Sequence, residues 1–289
     1  MKRIVLGAAF LLLGTLSVSG LEIDVAFRGE SGVTSVLWHT IRFGREDAGN
    51  TLFNYRTQGG QEVLFPYVRL TSEATVNNRH EVELLFQPLT FSTRSRVPVG
   101  ETVTFDGVEF AGPDSGGDGE GTPIDLVYGF DFWRGTYRYR VSHGDRGSVS
   151  IGAGLQLRNA RISFETSDGD LRVVSQDLGP VPVLSLAGRR VSEAYEGIFL
   201  EGSLEGFYAP IRYLNLSDVD VIGWLYDAAV RAGVRTGPDS EAFIGLRVLG
   251  GGADGTGQPA DVWTVTQTEP RYTWNNLNLL AISVGARIR

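Results

Sequence analysis

The sequence predicts an all-β fold, a transmembrane antiparallel up-and-down β-barrel of about ten strands, with twelve as the alternative count. Three observations carry that expectation. First, residues 132–157 alternate along two strands. Trp133, Gly135, Tyr137, Tyr139 and Val141 share one face, while Arg134, Thr136, Arg138 and Arg140 share the other, because successive strand side chains point opposite ways. Past the turn SHGDRG the pattern resumes, with Val149, Ile151, Ala153, Leu155 and Leu157 against Ser150, Gly152, Gly154, Gln156 and Arg158. Second, tight turns near 74–79, 142–147, 190–196 and 237–240 alternate with connections that include long polar ones, the asymmetry between the two ends of an outer-membrane barrel. Third, beyond the N-terminus no apolar run reaches the ~18 residues of a membrane-spanning helix. The mean hydropathy of -0.05 suits strands that are apolar on one face only.

Residues 1–20 set Lys2 and Arg3 ahead of the apolar stretch from Ile4 to Leu16 and the small residues Ser17, Ser19 and Gly20, the pattern of a secretory signal peptide. Residues 21–289 are then expected as a single barrel domain of a bacterial outer membrane. The chain has no cysteine, which removes disulfides, thiol catalysis, cysteine-held metals and lipid attachment at cysteine. The formal charge is -8, and becomes -10 without Lys2 and Arg3, so no nucleic-acid partner is expected.

Leu21 to Arg28 alternates Leu21, Ile23, Val25 and Phe27 against Glu22, Asp24, Ala26 and Arg28, and reads as the first strand. The pattern weakens from Glu30 to Gly60, and a long outer loop is expected near 29–60; its segments 33–43 and 51–56 read equally as two further short strands, which gives twelve, as an inward-folded loop or as a surface excursion. Next, Leu64, Pro66, Val68 and Leu70 oppose Phe65, Tyr67, Arg69 and Thr71, and Val82, Leu84, Phe86 and Pro88 oppose Glu81, Glu83, Leu85 and Gln87. The prolines lack ladder donors, which places them near a rim or bulge. A second outer loop is read over 95–122, with a projecting hairpin around Asp106-Gly107. The apolar phase changes at Phe132/Trp133, which suggests a bulge there. Further strands fall within 171–189, 198–205, 219–235, 242–248 and 272–289, with a third outer loop near 252–271.

In a barrel the apolar face meets lipid, and Trp133, Tyr137, Tyr139, Leu155, Trp224 and Tyr226 are expected there. The polar face then lines the lumen. Arg69, Arg138, Arg140, Arg158, Arg231 and Arg247 are expected to meet Glu81, Glu83, Glu201, Glu205 and Asp227 in a charge network. Unpaired charges in so confined a space are costly, so the mixed signs imply a plugged or very narrow interior.

The segments LRNARISFE, DLGPVPVLSLAG and FIGLRVLGGGADG resemble a family of uncharacterised exported outer-membrane β-barrel proteins of Gram-negative type bacteria. That family has an Arg-Asp-Ala stretch, a Gly-x-Val-Pro-Leu stretch and a Gly-Tyr-Arg-x-Leu-Glu-Gly-Gly-Ala-Asp stretch. Asn159 replaces the acidic residue, Val183 the leucine, Leu246 the tyrosine and Gly250 the glutamate. The resemblance covers about residues 60–289 and implies fold and location, with no reaction to carry over. The last strand also resembles a barrel-assembly signal at Ser283, Gly285 and Ile288, whereas Arg289 stands in place of the final aromatic.

The chemistry-bearing candidates are few. A hydrolase acting on surface lipid would need a serine with a histidine base, and only His39, His80 and His143 exist. His143 lies in a predicted turn and His80 at a strand start, which leaves His39 as the weak catalytic candidate. The stretches GGGADGTG and PDSGGDGEG lack calcium-loop spacing and read as solvated loops, so neither metal nor cofactor is expected. The expected role is a non-enzymatic structural, adhesive or narrow, porin-like transport component of the cell envelope. Its partners would be outer-membrane lipid and, during biogenesis, the barrel-assembly machinery, and its ligand is left open. The alternatives are a soluble periplasmic lipocalin-like binder and a surface lipid hydrolase.

Overall fold

In the computed structural model, which describes residues 21–45, 47–114, 119–210, 220–257 and 271–289, an antiparallel sheet closes on itself. The expected signal peptide lies outside the described residues. Going round the barrel, β1 (Ile23–Arg45) is followed by β3 (Leu64–Val76) and β4 (His80–Gln87). Next come β8 (Thr122–Gly144), β9 (Gly147–Thr166), β10 (Arg172–Val191) and β11 (Ile198–Pro210). β12 (Asp220–Arg235), β13 (Ser240–Gly257) and β14 (Arg271–Ile288) complete it. Closure is by β1 against β14, in register from Phe27↔Ile288 to Arg45↔Arg271 apart from one shift. This is a ten-strand, all-β, up-and-down barrel.

Two short strands extend positions in that ring. β5 (Thr90–Val97) continues β4 along β8 after a break at Pro88 and Leu89. Pro88 has no N–H to give, and the Asp131 carboxylate accepts the Leu89 amide at 2.7 Å where the ladder is interrupted. β2 (Phe53–Asn54) pairs with Thr40 and Ile41 of β1, beyond the end of β3.

All the tight turns named above fall at one end, here the lower, together with Ile23 and Ile288. At Asn77-Asn78, within the three-residue connection from Val76 to His80, both residues have positive φ, 50° and 55°, which asparagine tolerates. The upper end carries the 46–63 connection, the β5–β8 connection and the outer ends of β9 to β14.

Three expectations about the upper half are corrected. Residues 29–45 are not loop: β1 runs through Arg45 with one bulge, between Val36 and Trp38. There is no bulge at Phe132/Trp133, since Gln87↔Phe132 and Thr90↔Gly129 keep one register, as do Phe132↔Arg158 and Trp133↔Leu157. The bulge of β8 lies between Arg140 and Ser142. The hairpin of β6 (Thr102–Phe105) and β7 (Val108–Ala111) turns at Asp106-Gly107, but it folds over the barrel mouth instead of projecting. Phe105 and Phe110 are fully buried, and the Phe105 ring stacks on Phe164 of β9 at 3.7 Å.

The reason for all three is a change of chemistry with height. In the lower half the outward side chains are apolar, as at Leu155, Leu184, Leu246 and Val284, all exposed, while the inward ones are charged. In the upper half the inward side chains form the apolar core, among them Ile41, Phe43, Phe91, Leu126, Tyr128, Phe132 and Phe164. The outward faces of β8 and β9 there carry Asp125, Asp131, Asn159 and Arg161. β8 changes interior between Phe132 and Arg134 with no change of direction.

Candidate functional site: a charged lumen beneath an aromatic plug

Arg134 of β8 lies at the boundary between the two interiors and is fully buried. Its guanidinium donates to Asp227 of β12 at 2.9 Å, to the Gln156 carboxamide of β9 at 2.6 and 3.0 Å, and to Glu205 of β11. Asp227 also accepts from Arg247 of β13 at 2.7 Å and from Arg69 of β3 at 3.3 Å. These partners come from widely separated strands and meet near the barrel axis. One ion-paired layer thus joins β3, β8, β9, β11, β12 and β13 across the interior.

Below it, Arg138 bonds Glu83 at 2.5 Å and Glu205 at 3.3 Å, Arg140 bonds Glu81 at 2.5 Å, and Arg231 bonds Glu30 at 2.7 Å. A lower layer joins Arg28 to Glu73 and Glu201 at 3.0 and 3.1 Å, Arg189 to Glu201 and Glu241 at 2.5 and 2.7 Å, and Arg287 to Glu73 at 3.0 Å. Every second residue of each strand faces inward, so a polar residue at alternate positions becomes a ring of charge across neighbouring strands. Breaking a buried pair by removing one partner costs about 3–5 kcal/mol, because the other charge stays buried.

Of the residues expected in the lumen, Arg69, Glu81, Glu83, Arg138, Arg140, Glu201, Glu205, Asp227, Arg231 and Arg247 lie in these layers. Arg158 sits higher, its guanidinium 5.9 Å from the centre of the Phe130 ring. The expected network leaves out Arg134 and Gln156, which the sequence places on the polar face, and Arg28, Glu30, Glu73, Arg189, Glu241 and Arg287. The signal was present: Arg134 shares the parity of Arg138 and Arg140, and Arg28 and Glu30 occupy alternate positions of β1.

Of the expected lipid-facing residues, Trp133, Tyr137 and Leu155 are about half exposed on the outer surface; Tyr139, Trp224 and Tyr226 are partly covered there by neighbours. The cover on β12 explains the glycine run of β13. A Cβ at Gly250 would strike the Tyr226 ring, and one at Gly252 the Trp224 ring. With hydrogens there instead, Tyr226 reaches Asn278 of β14 across β13, and Trp224 lies edge-on to Trp274 at 6.3 Å. GGGADGTG is therefore strand, not loop, as far as Gly257; the rest of the loop expected near 252–271 falls on residues 258–270, which lie outside the described residues. Residues 115–118 of PDSGGDGEG do so too. Among the described residues, no group of three or more histidine, aspartate or glutamate side chains is placed to hold a metal ion.

His39 is part of the plug. After the β1 bulge it faces inward, fully buried, stacked on Tyr55 at 3.9 Å and edge-on to Tyr128 at 4.4 Å. Its Nδ1–H donates to Gln61 Oε1 at 3.1 Å, and Nε2 has no hydrogen-bond partner. Neither nitrogen meets a serine hydroxyl or a carboxylate, so the weak catalytic candidate becomes a core residue. His80 bonds the Tyr137 hydroxyl at 2.8 Å near the lower rim, and His143 is exposed beside the β8–β9 turn.

No family model matches the chain, and no curated protein does. Among solved structures it is similar to the outer membrane protease OmpT from Escherichia coli, at 10% identity and a TM-score of 0.47, covering 91% of this chain and 96% of that one. It is also similar to the outer membrane protein OprG from Pseudomonas aeruginosa, at 10% identity and a TM-score of 0.33, covering 91% and 96%. A FadL homologue from Pseudomonas aeruginosa aligns at 9% identity and a TM-score of 0.33, covering 92% and 90%. These likenesses concern the course of the chain and transfer no residue's role.

Proposed function

We propose that this protein is a non-conducting outer-membrane barrel, a structural or adhesive component that holds its upper half rigidly above the membrane. The observation that carries the reading is the ion-paired layer at Arg134. A guanidinium with 0% of its side chain exposed, tied to Glu205 and Asp227, supports a seal at that height.

The exterior supports the location. Apolar side chains such as Leu184, Ile244 and Val284 are each more than 60% exposed on the lower half, which water would penalise and acyl chains would not. Aromatic residues gather at the edges of this belt, with Trp133, Trp224 and Trp274 above and Tyr137 and Tyr139 below, as interfacial side chains do. The same belt disfavours a soluble lipocalin-like binder. Lipid is then the constant partner, and the barrel-assembly machinery would engage β14.

Above the belt, β8 continues from Trp133 back to Thr122, roughly 25 Å of axial rise at the usual strand tilt. That extension is filled by its own aromatic core and held by β2 and the β6–β7 hairpin, which suits a stiff stalk for surface loops. Transport would require the plug and the ion-paired layers both to yield. The test is reconstitution into planar bilayers: the expected record is flat, and regular single-channel steps would overturn the reading.

A further inference from the structure

Below the Arg134 layer the lumen holds a cavity of about 120 Å³ that opens toward the lower rim. Guanidinium groups outnumber carboxylates on its wall, and with the adjoining partners Asp24, Glu30, Asp227, Glu241, Arg134 and Arg247 included the network holds one more guanidinium than carboxylates. The carboxylates are already shared: Glu205 accepts from Arg134, Arg138 and the Ser185 hydroxyl, Glu201 pairs with Arg28 and Arg189, and Glu73 pairs with Arg28 and Arg287. A guanidinium carries five donors and no acceptor. The wall is therefore short of acceptors: the buried Nε–H groups of Arg28 and Arg69, both on the cavity wall, have no hydrogen-bond partner among the described residues, and that of Arg138 has only Glu81 at 3.5 Å.

We propose that this cavity is a binding site for a small tetrahedral oxyanion of the phosphate or sulfate class, entering from the lower end. Such an ion brings acceptor oxygens arranged around one centre into a site with unmatched donors, and negative charge to a network with one guanidinium in excess. Guanidinium groups match its oxygens in planar, often bidentate geometry. Water could fill the same space and accept hydrogen bonds, but it would leave the charge excess uncompensated. The inference concerns the cavity alone and stands whether or not the barrel conducts.

The test is calorimetric titration of the full chain, folded in detergent, with inorganic phosphate, and with sulfate, acetate and glucose in parallel. Saturable binding of phosphate and sulfate is expected, weakened by added salt, with acetate weaker and glucose silent. Arg28→Gln should weaken phosphate binding about tenfold or more, the loss of one or two charged hydrogen bonds. Should that variant fail to fold, Ser203→Leu decides, because it fills the cavity from β11 without removing a charge. Ser203→Leu is expected to abolish phosphate binding while heat-modifiable gel migration is retained. Absence of saturable phosphate binding by the folded parent chain would assign the cavity to water and overturn the proposal. Binding unchanged in Ser203→Leu, or acetate binding tighter than phosphate, would overturn it equally.

Discussion

Arg134 of β8 and Asp227 of β12 meet across the interior of the barrel at 2.9 Å, and neither side chain is more than 1% exposed. Asp227 is also the anchor for Arg69 and Arg247, so one carboxylate compensates three guanidinium groups. Asp227→Asn should therefore destabilise the barrel by about 3–5 kcal/mol, since the buried Arg69 loses its carboxylate while Arg134 keeps only Glu205 and Arg247 only Glu30 at 3.8 Å. Denaturant titration of the detergent-folded protein reads this as a lowered midpoint with an unchanged slope. A midpoint within error of the parent would show that the layer does not hold the barrel together.

Leu184 projects outward from the middle of the belt on β10, opposite Ala153 of β9 and Gly206 of β11, and is 67% exposed. Leu184→Arg is expected to cost about 2–4 kcal/mol of insertion free energy, the penalty for a cation near the bilayer midplane. Val127 faces outward on β8 above the belt, and Val127→Arg should cost less than about 1 kcal/mol. Folding yield into lipid vesicles measures both. Equal penalties at the two sites would contradict the placement of the belt.

Phe105 fills the mouth of the barrel against Phe164 at 3.7 Å and Phe43 at 5.6 Å. Phe105→Ala should cost about 3–5 kcal/mol if the aromatic plug is packed as a protein core. Proteolysis at the upper loops is the readout, since loosening of the β6–β7 hairpin precedes loss of the barrel. Unaltered cleavage would mean that the hairpin is not held by this contact.

Replacing the β6–β7 hairpin by a short glycine-serine linker should leave reconstituted protein non-conducting, because the Arg134 layer lies beneath it and draws nothing from it. Channels appearing in that variant would place the seal in the plug and not in the ion-paired layer.

Strand alternation made the barrel legible from sequence, because the lower half obeys one rule from turn to turn: Val149 to Leu157 outward, Ser150 to Arg158 inward. The same rule misled in the upper half. On β8 the run Ile124, Leu126, Tyr128, Phe130, Phe132 and the run Trp133, Tyr137, Tyr139 are both apolar but occupy opposite faces, and only a fixed direction for lipid makes that a bulge. The backbone does not shift there; the outward side chains change from apolar to polar and the apolar ones move inward, as expected where hydrocarbon outside gives way to water. For the same reason β1 could not be followed past Arg28. Its inward residues pass from Arg28 and Glu30 to Val36, His39 and Ile41, so no single period spans it. The lumen residues were largely legible because parity alone places them. Their partners were not, since Arg134 and Asp227 are 93 residues apart and meet only when the sheet closes.

The central claim is directional: below Trp133 the even positions of β10 look into lipid and the odd ones into the lumen. Fluorescence quenching by acyl-chain-brominated lipids reads this directly in chains whose native tryptophans are replaced by phenylalanine. A tryptophan introduced by Leu184→Trp should be strongly quenched, and one introduced by Ala187→Trp, beside the lower cavity, should not. The reverse order, or equal protection of both, would contradict the account.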